Sequence, residues 1–144
     1  MNPWNKLLEA LHSSLIDALC ERAPEPKPEL GMPARFASLT FPAEACQRIL
    51  LAPVTMAGTK GFGSLAMDPN AEKRMAVTAL AVWESLLARA WRTEFPRRGI
   101  DPAFEKPMWC EDSSRLPPGL VPPRTVIWIP IRIGEGQCHL AVGV

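Results

Sequence analysis

From Thr125 to Ile133 the chain alternates without a break, with Ile127, Ile129, Ile131 and Ile133 on one side and Val126, Trp128, Pro130 and Arg132 on the other. Successive side chains of a strand point to opposite faces, so the segment reads as a β-strand with one all-isoleucine face. Gly134-Glu135-Gly136 forms a turn, and Gln137–Val144 returns with Cys138, Leu140, Val142 and Val144 as its inward set. Such a face needs a helix layer over it. Any fold for this chain must therefore put helices against one side of an antiparallel hairpin.

The remaining strands are expected at Arg35–Phe41, at Arg48–Met56 paired with Phe62–Met67, and at Phe104–Glu111 with an interruption at Pro107. Gly58 and Gly61 suit the turn inside MAGTKG, and Pro53 suggests an edge or a bulge. The first helix starts at Asn2, a capping residue, with Pro3 at its first position, and runs to about Glu21. Trp4, Leu8, Leu11, Leu15 and Leu19, with Leu7 and Ile16, form its apolar stripe, while Glu9, His12 and Asp17 lie off it. Asp68-Pro69 repeats the signature and opens one long helix over Asp68–Thr93, which ends by Pro96 before a solvated Arg97-Arg98-Gly99 turn. Its wide apolar circumference predicts burial against both a sheet and a second helix.

The expected class is α+β: an antiparallel sheet of about five to six strands with two main helices packed on it, in the order α-β-β-β-α-β-β-β. A single domain spans residues 1–144, divided into the helix at 1–21, a stiff Pro-rich connector at 23–33, and the sheet with its long helix at 34–144. A chain of 144 residues with 47% hydrophobic content is large enough for a core. A net charge of +1 argues against a nucleic-acid binder, and no apolar run approaches the ~20 residues that span a bilayer. The N-terminus carries acids and amphipathic spacing instead of a signal-peptide pattern, so a cytoplasmic location is expected.

No metal or cofactor is expected. The four cysteines, Cys20, Cys46, Cys110 and Cys138, form no CxxC pair, and adjacent Cys138 and His139 face opposite sides of a strand. Gly58-Thr59-Lys60-Gly61 lacks the spacing and the following helix of a phosphate loop. Ser13-Ser14, Ser38 and Ser113-Ser114 have no nearby histidine or elbow motif for nucleophilic catalysis. Arg97-Arg98 with Arg92 forms a small basic cluster, either a solvated helix end or a contact for an acidic partner. Trp109 and Trp128 are either core or an exposed aromatic patch.

Glu84 is the candidate site residue. On the expected long helix, Arg74, Thr78, Ser85, Arg89 and Arg92 share one polar arc at ~100° per residue. Glu84 lies outside it, among Val77, Leu80, Leu87, Ala88 and Trp91. A carboxylate there is paired with Lys73 or Arg89, held at a rim, or present for chemistry as a base or water-positioning group.

Several segments together resemble one family: the helix starting Asn2-Pro3, a hairpin ending in GSLAMD (63–68), a long helix carrying a glutamate, GIDPAFEKP (99–107), and the closing hairpin VIWIPIRIGEGQCHLAVGV (126–144). The pattern resembles the CheX/CheC/FliM-middle-domain family, phosphatases of the chemotaxis response regulator CheY and related flagellar-switch domains. It covers the first helix and most of the chain from Arg48 onward. In the enzymes of that family a helix carries Glu-x-x-Asn, in which the glutamate engages the regulator's lysine and the asparagine orients the attacking water. Glu84 stands at the glutamate position, and Leu87 stands where the asparagine would be. Leucine neither donates nor accepts a hydrogen bond. The family also tends to place an additional helix between the hairpin and the catalytic helix, for which a single helix over 68–93 leaves no room.

The resemblance implies a signalling or flagellar/chemotaxis interaction module without phosphatase activity. Its partner would be a response regulator or a flagellar or secretion component, with homodimer pairing through a sheet edge or helix face possible. One alternative is an active response-regulator phosphatase that uses Glu84 with a substitute for the asparagine. Another is a small dimeric secretion-chaperone-like protein, although those are usually acidic.

Overall fold

The computed structural model describes residues 2–22, 27–36, 49–110 and 125–144. Expectations for Phe41, Cys46 and the RLPPGLVPP segment lie outside the described residues. Helix α1 spans Pro3–Arg22, and the Asn2 side chain accepts from the Trp4 N–H at 2.9 Å, as its cap-then-proline signature predicts. Two short strands follow, β1 (Glu29–Leu30) and β2 (Ala34–Phe36). Then come β3 (Ile49–Met56) and β4 (Thr59–Met67), joined by Ala57-Gly58 with φ of 53° and 76°. That pair makes the turn, while Gly61 lies within β4.

The long helix is not one helix. It divides into α2 (Pro69–Met75) and α3 (Ala79–Arg89), continues as a π-helical turn over Ala90–Glu94, and finishes as α4 (Phe95–Arg98). Asp68 caps α2 through the Ala71 N–H at 2.7 Å, and Ala76 ends it in the left-handed region with φ of 53°. Thr78 then turns extended and caps α3 through the Ala81 N–H at 3.3 Å. A threonine hydroxyl competes for backbone donors in this way more readily than it rides on a helix surface. The short α2 supplies a helix between hairpin and α3, which the single-helix reading excluded.

Pro96 does not end the helical run either. The π turn shifts the ladder so that the Phe95 N–H donates to the Ala90 carbonyl, and Pro96 falls in the first turn of α4, where its missing N–H costs least. Gly99, with φ of 67°, supplies the left-handed cap.

β5 (Ala103–Phe104) and β6 (Met108–Cys110) are the expected interrupted strand, and β7 (Val126–Ile133) and β8 (Gly136–Gly143) are the closing hairpin. Among the described residues the sheet has eight strands in the order β1-β7-β8-β4-β3-β5, with β2 also on β7 and β6 also on β3, all antiparallel. Five of the six expected strands are present, one of them split; of the expected Arg35–Phe41 strand only Arg35 and Phe36 are among the described residues, within β2, and β1 is added from the connector. Pro53 sits inside β3, yet β5 pairs with Val54–Thr55 and β6 with Ile49–Leu51, so Pro53 faces the gap between them. Its carbonyl accepts from the Glu105 N–H at 2.9 Å on that side, where no ladder bond from residue 53 is required.

The isoleucine face is covered as expected. Ile129, Ile131 and Ile133 join Leu7, Leu11, Leu15 and Leu19 of α1 and Val82, Trp83 and Leu86 of α3 in one core. A Cβ on Gly63 would lie 2.8 Å from the Trp83 ring, so the absence of a side chain there lets the indole rest on β4. The opposite sheet face forms a second core with Leu51, Phe62, Val126 and Trp128. Trp109 packs against the first core and Trp128 belongs to the second, so the two indoles lie on opposite faces and make no common patch.

Candidate protein-docking face on helix α3

Helix α3 has two apolar arcs. Ala79, Val82, Trp83, Leu86 and, one turn on, Ala90 are buried against α1 and the sheet. At about 100° per residue, the second arc holds Leu80, Leu87, Ala88 and, in the π turn, Trp91, all within about 60° of Glu84, while Val77 lies in the break before α3. Glu84, Ala88 and Trp91 of this arc are exposed, while Leu80 and Leu87, like Val77 in the break, are half-buried and pack against the inner core. Trp91 retains 43% of its surface and, with Met32 in the β1–β2 connection, is one of the exposed large hydrophobic side chains among the described residues.

Glu84 therefore sits on an apolar arc, as its position predicts, but in solvent. Neither expected partner meets it. Arg89 pairs with Glu21 of α1, and Lys73 belongs to α2 on the far side of the Thr78 break. Among the described residues the Glu84 side chain makes no hydrogen bond or ion pair. A solvated carboxylate ringed by apolar side chains can receive a cation from outside the chain. The side chains one turn away on its own face, Leu80, Ala81, Leu87 and Ala88, offer no donor or acceptor to hold a water beside it.

The buried carboxylate of this helical run is Glu94, in the π turn, with its side chain 10% exposed. It accepts from the Ser13 hydroxyl at 3.2 Å and from Arg98 Nε at 3.1 Å. Arg98 Nη1 reaches on to Glu9 at 2.8 Å, so the expected solvated Arg98 is a clamp between α4, the π turn and α1. Continuing the same periodicity past Thr93 would have found Glu94: ten steps of about 100° from Glu84 bring it beside the Trp83–Ala90 arc.

An aromatic column runs from this core to the surface. Trp83 meets Phe104 edge-on at 5.8 Å, Phe104 stacks on Phe95 at 6.2 Å, and Phe95 supports Trp91 at 5.0 Å. On the other sheet face His139 lies edge-on to Trp128 at 6.4 Å, and burial lowers its pKa while nearby Asp68 acts in the opposite sense. Among the described residues no three His, Cys, Asp or Glu side chains gather as metal ligands, and no helix is long and apolar enough to cross a membrane.

No protein-family model matches the sequence, and no curated protein matches it. Solved structures do. A CheC-like superfamily protein from Shewanella sp. PV-4 superposes with a TM-score of 0.71 at 15% identity, covering 99% of this chain and 98% of that one. A chain of the CheX–CheY–BeF3–Mg2+ complex from Borrelia burgdorferi gives 0.61 at 11% identity, covering 94% and 95%. The FliM middle domain from H. pylori gives 0.57 at 9% identity, covering 98% and 90%. With near-complete coverage in both directions, the chain has the fold of the CheC-like, CheX and FliM middle-domain proteins.

Proposed function

We propose that this chain is a CheX-like interaction module of chemotaxis or flagellar signalling that docks a response regulator on the outer arc of α3 and lacks phosphatase activity. One observation carries the reading. Glu84 stands unpaired in solvent at the centre of an apolar helix face, with Leu87 where a water-orienting amide would have to be. The carboxylate meets a lysine of the regulator, and the surrounding apolar side chains exclude water from that contact. Support comes also from the fold, since one structural neighbour was solved in complex with CheY. The reading carries with it a cytoplasmic location and leaves the sheet edges and remaining helix surface for self-pairing.

Purified protein mixed with a panel of phosphorylated response regulators provides the test. Binding without faster phosphate loss, weakened by Glu84→Ala, is the expected outcome. Accelerated phosphate loss abolished by Glu84→Ala would make the chain a phosphatase, and failure to bind any regulator would sink the docking reading altogether.

A further inference from the structure

Trp91 is exposed on the same arc as Glu84, yet it is not loosely held. Its ring stands edge-on to Phe95, which is fully buried and stacked on Phe104. Its backbone belongs to the π turn, and that turn is fastened to α1 through Glu94–Ser13 and through Arg98, which bridges Glu94 and Glu9. π turns are uncommon and recur at functional positions, because they replace a regular helical ladder with a wider one. A scattered exposed apolar residue needs no explanation. An indole fixed from below, on a face that also carries an unpaired carboxylate, has the properties of an interface anchor: large apolar area and little rotamer entropy left to lose.

We infer that Trp91 is a second, apolar anchor of the docking face, and that the partner surface it fits is two-pointed. The occupant is the receiver domain of the response regulator, so the inference rests on the proposed docking function. That surface presents a cation to Glu84 and, two helical turns or roughly 10 Å along the axis, an apolar pocket or side chain to Trp91. Charge complementarity sets the direction. Glu84 is the one charged side chain within the arc, and the exposed Arg92 flanks its Trp91 end. A partner with a lysine opposite Glu84 and an acidic group near its apolar contact is therefore favoured, and a partner docked in the reverse sense brings like charges together at both ends.

Calorimetric titration against a panel of response-regulator receiver domains, each with and without beryllofluoride, tests this. Trp91→Ala is expected to weaken binding about thirty-fold or more. Trp91→Phe, which keeps a ring over Phe95, retains most of the affinity, and Thr93→Ala changes it by less than about twofold. An unchanged far-UV circular dichroism spectrum for Trp91→Ala shows that the loss is not unfolding. If the wild type binds and Trp91→Ala binds within twofold of it, the second anchor is refuted while docking through Glu84 stands. If the wild type binds no receiver domain, both are refuted.

Discussion

Trp91 stands edge-on to Phe95, with ring centroids 5.0 Å apart and planes crossing at 89°. The contact joins a solvent-exposed indole to a ring that is itself fully buried and stacked on Phe104, so the exposed face of the helix is continuous with the core. Phe95→Ala removes the supporting ring and opens a cavity beneath the π turn. Urea denaturation is expected to show a loss of about 3–5 kcal/mol, and near-UV circular dichroism a weaker aromatic signal as Trp91 loses its fixed partner. A cost below about 1 kcal/mol would mean that Phe95 does not support the turn.

Glu94 and Glu9 share Arg98 but differ in environment: the Glu94 side chain is 10% exposed and that of Glu9 is 49% exposed. Removing a buried acceptor strands its donors, whereas an exposed ion pair is screened by water. Glu94→Ala is therefore expected to lower stability by about 1–3 kcal/mol, and Glu9→Ala by less than about 1 kcal/mol. Equal effects in chemical denaturation would refute the assignment of Glu94 as the inner member of the clamp.

Both histidines are held below their ordinary pKa of 6.5, His12 by burial and His139 by burial that nearby Asp68 partly offsets. His12 Nε2 is also enclosed without a hydrogen-bond partner among the described residues. A histidine with a lowered folded pKa binds fewer protons folded than unfolded. Its contribution to stability is complete above the unfolded value of about 6.5 and is lost as pH falls from there toward the folded value. The melting temperature is expected to hold level between about pH 7 and 8 and to fall as pH drops below about 6.5. The double variant His12→Gln, His139→Gln should flatten that limb, and a limb unchanged in the double variant would assign it to carboxylates.

The strands were legible because period-two alternation is unambiguous where one face is isoleucine and turns carry glycine. Pro53 was legible as an irregularity, but only the placement of β5 and β6 explains how a strand flanked on both sides tolerates it. The helices were less so. Apolar spacing runs through Ala76–Thr78 without a break, so periodicity joins α2 to α3, while the break is made by one hydroxyl and one left-handed residue. Periodicity grouped Leu80, Leu87, Ala88 and Trp91 around Glu84 but also drew in Val77, which falls in the break, and a helix with two apolar arcs does not announce which one its neighbours cover. Taking Pro96 as a terminator hid Glu94, the carboxylate that is buried, because the π turn that accommodates the proline has no pattern in apolar spacing.

Leu87 provides the sharpest test of the site. It lies three residues after Glu84 on the open face and is half-buried, so Leu87→Asn puts an amide beside the carboxylate at a stability cost of about 1 kcal/mol. An asparagine both donates and accepts, which leucine cannot, and can hold a water in line with a phosphoryl group on a docked regulator. If Glu84 occupies the place of the glutamate in the enzymes that this chain resembles, the variant should gain activity. Loss of phosphate from a bound regulator is expected to accelerate about tenfold or more, while the wild type leaves the rate unchanged. Glu84→Ala in the Leu87→Asn background should abolish the gain. A Leu87→Asn variant that binds as tightly as wild type yet accelerates nothing, followed by phosphate release, would show that a docked regulator keeps its phosphoryl group out of reach of this face. Glu84 would then be a docking contact on a surface unrelated to catalysis.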